Sequence, residues 1–356
     1  MRREDLLLRT KLSPPEQHRR VLPRPALLAR LREAFEYRLT IVQAGTGYSK
    51  TTALAALDTG AFPLFWYSIG ETDADPQRFL SYLVAAFRQR LPDLSDLPLA
   101  VLQERGAEGS REAWMQALDA LINALSEALP GPALLVVDDY HIVAGLPEIQ
   151  ALAEHFLTYL PPHLHVVLST RYPLAGPGLL RWRARGEVLD INRGALAFRP
   201  DEIEALFRET YDMPLAPAEL ATLAEKTEGW PIALQLVRQG LRSGTARRPA
   251  DLLAQGSTSL FDYLARDVLG GQDPAVAAFL RETAVLRELA PAACDAVRGA
   301  GDSAALLARL HDLDLFVVDL GAGHYRYHHL FHDFLREQAA ADPAGTQARH
   351  RRAAAY

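Results

Sequence analysis

Five short apolar runs, alternating with longer stretches of helical periodicity, constrain this chain more than any other feature. They are RLTIVQA (38–44), PLFWYSI (63–69), ALLVVDD (133–139), LHVVLST (164–170) and GEVLDI (186–191). A strand with one wet face alternates apolar and polar residues. These runs are nearly continuous, so they read as strands covered on both faces. Buried strands alternating with helices predict an α/β fold built on a parallel five-stranded sheet covered by helices.

The pattern changes at Arg199. From there the chain shows helices alone: RPDEIEALFRETY, APAELATLAEKT and WPIALQLVRQGLR, which predict a small helical domain. Residues 240–259 are rich in Gly, Ser, Arg and Pro and read as a linker. Helices follow at 275–286, 291–297 and 303–313, with Pro291 suited to a first turn, where its missing N–H is not needed. LFVVDLGAGHYRYHHLF then gives two short strands around Gly-Ala-Gly, and three helices with such a hairpin predict a winged helix. At the other end, residues up to Pro25 are polar and proline-punctuated and read as an extended lead-in. RPALLARLREAF after it has apolar positions Leu27, Leu28, Leu31 and Phe35 on helical spacing. The terminal RHRRAAAY reads as a helix cut off mid-course.

With 356 residues the chain exceeds one typical core, so two or three domains are expected. Its net charge of −6 argues against a broad nucleic-acid footprint. The single cysteine, Cys294, excludes an internal disulfide framework and fits a reducing compartment. No apolar run is long enough to span a bilayer, and MRREDLLLRTKL lacks the apolar stretch of a secretory signal. A soluble, cytoplasmic protein with no membrane partner is expected.

The first run leads straight into QAGTGYSKTT (43–52) and then the helical TTALAAL. A phosphate loop reads G-x-x-x-x-G-K-[ST] and lies between a buried strand and a helix, where backbone N–H groups and the helix dipole converge. Here Ala44 and Ser49 occupy the two glycine positions, while Gly45 and Gly47 keep backbone freedom inside the loop with Thr46 and Tyr48. Lys50 is placed to reach the β- and γ-phosphates, and Thr51, followed by Thr52, to ligate Mg²⁺. Alone, the loop reads equally well as an ordinary strand-to-helix turn. The second signal is ALLVVDDYH, a buried strand ending in two carboxylates: Asp138 to hold Mg²⁺ through water, Asp139 to orient the attacking water. A lone acidic pair is more simply a cap or a solvated turn, but with the phosphate loop the pair points to a nucleotide site. The third signal is Arg171 after HVVLST, either a γ-phosphate sensor or a solvated loop arginine.

These segments together resemble the ATPase module of the large LuxR/MalT-type regulators, members of the STAND class of signal-transduction ATPases. The resemblance covers nearly the whole chain: TKLSPPEQHRRVLPRPALLARL, WYSIGETDADPQRFLSYLVAAF, LLVVDDYH, VVLSTRYP, TEGWPIALQLV and YRYHHLFHDFL occur in the family's order. It implies a P-loop NTPase domain over 25–198, preceded by a lead-in (1–24) whose Val21 and Arg24 line the adenine and ribose pocket. A helical domain (199–268) follows, with Pro231 of Gly-Trp-Pro packing on the adenine. Next come a winged helix (269–340), whose His328 touches the β-phosphate of ADP, and the start of a helical-repeat region (341–356). His328 is preferred to His329 because the family histidine stands first in HHLF. Further implications are ATP/ADP and Mg²⁺ as cofactors, an ADP-bound monomer, a self-associating ATP form and slow ATP hydrolysis. A small-molecule or protein inducer would act through C-terminal repeats, and DNA would be bound only through an output domain absent here. One departure matters: the family loop reads A-G-Y-G-K-T-T, and Ser49 replaces its second glycine. A Cβ there crowds phosphate or strains the backbone, which predicts nucleotide binding with impaired turnover.

Other readings carry less. His328 and His332 share a helix face, but zinc would need further ligands. SAALLARLHDLDL holds only Arg309 as a strong base, which disfavours DNA recognition by the winged helix. A degenerate, nucleotide-independent interaction scaffold is the alternative function, favoured by Ser49 alone. A steady-turnover motor fits the helical and winged-helix signatures less well than a switch.

Overall fold

The computed structural model describes residues 7–16, 21–104, 110–244, 248–249, 252, 273–312 and 316–356. Two compact units emerge. The first comprises Met1–Ala44 with Lys50–Leu196, the second Gly45–Ser49 with Ala197–Tyr356. Most of the linker expected at 240–259, and the expected boundary at 268/269, lie outside the described residues.

The first unit is a parallel sheet of β1 (Leu39–Gln43), β2 (Leu64–Ser68), β3 (Ala133–Asp138), β4 (Leu164–Thr170) and β5 (Val188–Ile191), in the order β2-β3-β4-β1-β5. Its helices are α1 (Pro25–Arg32), α2 (Lys50–Ala55), α3 (Pro76–Arg88), α4 (Leu97–Glu104), α5 (Arg111–Ala128), α6 (Pro147–Thr158), α7 (Pro177–Ala184) and α8 (Arg193–Leu196). The continuous apolar runs are explained by burial on both faces. Leu39, Ile41, Val137 and Leu168 join one core cluster with Phe79, Leu121, Phe156 and Trp182 of α3, α5, α6 and α7. The alternate residues Thr40, Val42, Val136 and Val167 are buried too. Proline at the first turn starts α1, α3, α6 and α7, and Asp75 caps α3 by accepting from the Arg78 N–H. The lead-in is less extended than its prolines predict. It contains a 3-10 turn, Arg9–Lys11, fastened by Lys11 Nζ to the fully buried Asp73 at 2.5 Å, with Arg78 Nε on the same carboxylate at 3.3 Å.

The second unit holds α9 (Pro200–Ala205), α10 (Pro217–Thr227), α11 (Pro231–Arg242), α12 (Pro274–Thr283), α13 (Pro291–Arg298) and α14 (Ser303–Asp312). After these come the antiparallel hairpin β6 (Val317–Gly321) and β7 (His324–Tyr327), then α15 (His329–Ala340) and α16 (Pro343–Ala355). α12–α14 with the hairpin form the winged helix. The segment RPDEIEALFRETY is not one α-helix: α9 passes into a π-helical turn, Leu206–Thr210, that buries Leu206 and Phe207. RHRRAAAY lies in α16 and its C-terminal cap. Among the described residues no helix is long and apolar enough to cross a membrane.

Candidate functional site

In the first unit, three of the sequence signals meet at one sheet edge because of strand order. β1, β4 and β3 are adjacent, with Gln43 level with Thr170 and Val137 level with Leu168, so their carboxyl ends lie side by side. Loops at the carboxyl ends of parallel strands are where such sheets bind ligands. Lys50 opens α2 almost fully buried, and its Nζ donates to the Ala44 carbonyl at 2.7 Å. Thr51 Oγ1 donates to Asp138 Oδ2 at 2.7 Å. Ser169, on the neighbouring strand, donates to Asp138 Oδ1, while its hydroxyl accepts from the Asp139 N–H at 2.9 Å. Asp139 itself leaves the strand in a left-handed conformation, φ 57°, which a short polar side chain tolerates.

The electrostatics follow from burial. Burial pushes the Asp138 carboxyl above its ordinary range, against the lowering hydrogen bonds from Ser169 and Thr51. A desolvated carboxylate bonded to a threonine hydroxyl at a helix start is a donor set suited to a hard, oxygen-seeking cation such as Mg²⁺. Thr51 and Asp138 are thus the residues that fit one. His141, whose Nδ1 stands 3.7 Å from Asp139 Oδ1, is pushed down to about 4 by burial, then by the charges of Arg171 and Lys50. It is neutral at physiological pH. That coupling also places Arg171, half-buried beyond the end of β4, in the same electrostatic neighbourhood. Arg24 is buried and donates from Nη1 to the Leu196 carbonyl at 2.7 Å, while Val21 is half-buried.

The second unit assembles the glycine loop with the winged helix. Trp230 is fully buried, and its indole Nε1 donates to the Thr46 carbonyl at 3.2 Å. The Ile232 N–H donates to the Gly47 carbonyl at 3.2 Å, from the first turn of α11 behind the buried Pro231. Gly47 adopts φ +78°, and a Cβ there would lie 2.6 Å from Ile232 Cγ2, so glycine is required by close approach as well as by conformation. Tyr48 is buried with its ring 6.3 Å from that of Trp230. Thr52, the last residue of the quoted motif, is half-buried in α2. His328 caps α15 at 1% exposure and donates from Nε2 to the Thr227 carbonyl at 2.9 Å; His332 bonds the Ala284 carbonyl.

Ser49 is exposed and sits at φ 55°, the left-handed region where a glycine is free and a serine is strained. Such a conformation costs about 1–2 kcal/mol for a residue with a Cβ. Ser49→Gly should therefore raise stability by about 1 kcal/mol once the greater flexibility of the unfolded glycine is offset. A urea midpoint reads this directly, and a loss of stability would show that the serine side chain makes a compensating contact.

Sequence reasoning passed over Ser169, which the strand register sets level with Val42. It also passed over His141 and the bond from Trp230 to the loop.

Comparisons with known proteins bear on this geometry. Residues 265–347 match the family described as the MalT winged helix domain. The HTH-type transcriptional regulator MalT of Cronobacter sakazakii is 33% identical over 341 residues, spanning 94% of this chain and 37% of that protein. The regulator of the same name from Yersinia pestis is 31% identical over 338 residues, with the same coverage. The chain thus spans 37% of the length of these curated relatives. Among solved structures, a Walker-type ATPase of Pyrococcus abyssi superposes with a TM-score of 0.61 at 17% identity, covering 90% of this chain and 98% of that one. At that identity the likeness shows the fold.

Proposed function

We propose that this chain, which is similar to MalT regulators over 94% of its length and carries a match to the MalT winged helix domain, is a STAND-class ATPase module that works as an ATP/ADP-operated switch within a transcriptional regulator. The observation that carries the reading is the joint at the end of β1, β4 and β3, where Thr51 and Ser169 both bond the buried Asp138 beside Lys50. In this reading Lys50 neutralises the β- and γ-phosphates, and the N–H groups of 45–52 cradle them. Thr51 and Asp138 would hold Mg²⁺, which would neutralise phosphate charge when bound. Asp139 orients the attacking water, and Arg171 senses the γ-phosphate. Val21, Arg24 and Pro231 bound the base and ribose, and His328 reads the β-phosphate of ADP.

ADP then holds a closed monomer, and ATP permits self-association, since a ligand shifts a two-state equilibrium only by its differential contacts. An inducer acts through repeats beyond this chain, DNA is reached through an output domain beyond it, and the setting is cytoplasmic. Hydrolysis is slow and serves resetting.

Asp139→Asn separates turnover from binding. The variant should keep nucleotide bound yet slow phosphate release in single-turnover assays by about a hundredfold or more, in the range of general-base catalysis. Turnover at the parental rate would remove Asp139 from its role. The strained Ser49 favours a second reading, a scaffold that no longer uses nucleotide. Such a scaffold would show no heat on titration with ADP or ATP.

A further inference from the structure

α10 ends at Thr227, and the next residue, Glu228, adopts φ 49°, a left-handed helix cap normally left to glycine or asparagine. A glutamate held in that conformation needs a compensating role for its side chain. Its carboxylate accepts three hydrogen bonds. Arg326 Nη1 donates to Oε1 at 2.8 Å, Arg326 Nη2 to Oε2 at 3.0 Å, and the His329 N–H to Oε1 at 3.1 Å. The two-point fork is the geometry in which a guanidinium fixes direction as well as charge. Burial works to raise this carboxyl, but Arg326, His328 and the His329 N–H together hold it at about 2, so the pair stays charged throughout the neutral range.

The placement is what matters. Arg326 and His329 stand on either side of His328 in sequence, and Glu228 directly follows Thr227, whose carbonyl receives the His328 imidazole. The ion pair therefore closes around the His328–Thr227 bond. The same Thr227 carbonyl accepts from the Trp230 N–H at 2.9 Å, and the Trp230 indole bonds Thr46 in the glycine loop. One short chain of bonds runs from the loop through Trp230 and Thr227 to His328.

We propose that Glu228 and Arg326 are a positioning pair that aims His328 and sets the preference of this chain for a nucleoside diphosphate over a triphosphate. The inference rests on the proposed role of His328 at the β-phosphate. The pair makes no nucleotide contact of its own. It fixes the imidazole against Thr227, so that reading the β-phosphate requires no ordering at the moment of binding.

The test is a set of ADP and ATP dissociation constants, by calorimetry on the full chain, for the parent, Glu228→Gln, Arg326→Gln and Arg326→Lys. Each glutamine variant should weaken ADP about tenfold or more and ATP less than about threefold. Arg326→Lys keeps the charge and loses the fork, so it should fall between. In a His328→Ala background, Glu228→Gln should have no further effect on ADP. A purely structural role would lower both affinities alike and would add to the His328→Ala loss. Either result would overturn the pairing, as would variants that keep the parental preference. A parent that binds neither nucleotide would overturn both the switch reading and the pair; one that prefers ADP while the variants match it overturns the pair alone.

Discussion

Lys50→Ala should leave the fold standing and remove nucleotide binding. Lys50 Nζ donates to the backbone of its own loop, at the Ala44 carbonyl. Alanine is the best helix former and suits the first position of α2. Loss of that hydrogen bond costs the fold a net of about 1 kcal/mol. The ligand loses far more. A phosphate drawn into a buried site without its cation faces the loss typical of a broken buried charge pair, about 2–5 kcal/mol. That is about thirtyfold to several-thousandfold in affinity. Calorimetry with ADP and with ATP, beside a thermal scan, separates the two effects. Unchanged affinity would place the phosphates elsewhere.

Gly229→Ala should strongly destabilise the second unit. Gly229 adopts φ +71°, and a Cβ built on it would lie 2.1 Å from the Phe198 carbonyl oxygen and 2.7 Å from the Phe198 nitrogen. Both neighbours are backbone, so no side chain can swing away. The Phe198 N–H donates to the Gly229 carbonyl at 2.8 Å, and separating the segments to admit a methyl group would break that bond. Left-handed strain of about 1–2 kcal/mol and overpacking of about 1–3 kcal/mol act together. A total of about 2–5 kcal/mol corresponds to a fall in Tm of about 4–20 °C for a unit of this size. Gly301, whose Cβ would meet nothing within 4 Å, is the control, and Gly301→Ala should leave Tm within about 2 °C. Equal melting of the two variants would contradict the close approach.

The sheet was legible because continuous burial leaves a continuous apolar signature: each of the five runs contains its strand to within two residues at either end. What periodicity cannot give is lateral order. That Asp138 and Thr51 touch depends on β4 lying between β1 and β3, and Ser169 becomes a ligand of the acidic pair only through that neighbour relation. Ser49 was legible as a departure from a glycine pattern, and the positive φ found there is its physical content. The junction of Glu228 with Arg326 was not legible. The two are 98 residues apart, and a glutamate in EGWP reads on its own as a solvated helix end. The π-helical turn at Leu206–Thr210 escaped for a different reason, since one added residue per turn leaves local apolar spacing nearly helical. His328 illustrates both sides. Its place at the start of α15 could be read from the hairpin before it, whereas its bond to Thr227 needed the fold.

The central claim is that this joint holds a nucleotide, and the most direct measurement is the nucleotide content of the purified chain. Denaturing the chain and separating what it releases should yield ADP at about one per chain, and none from Lys50→Ala prepared in parallel. A parent that releases nothing and gives no heat on titration with ADP or ATP in the presence of Mg²⁺ would contradict the account.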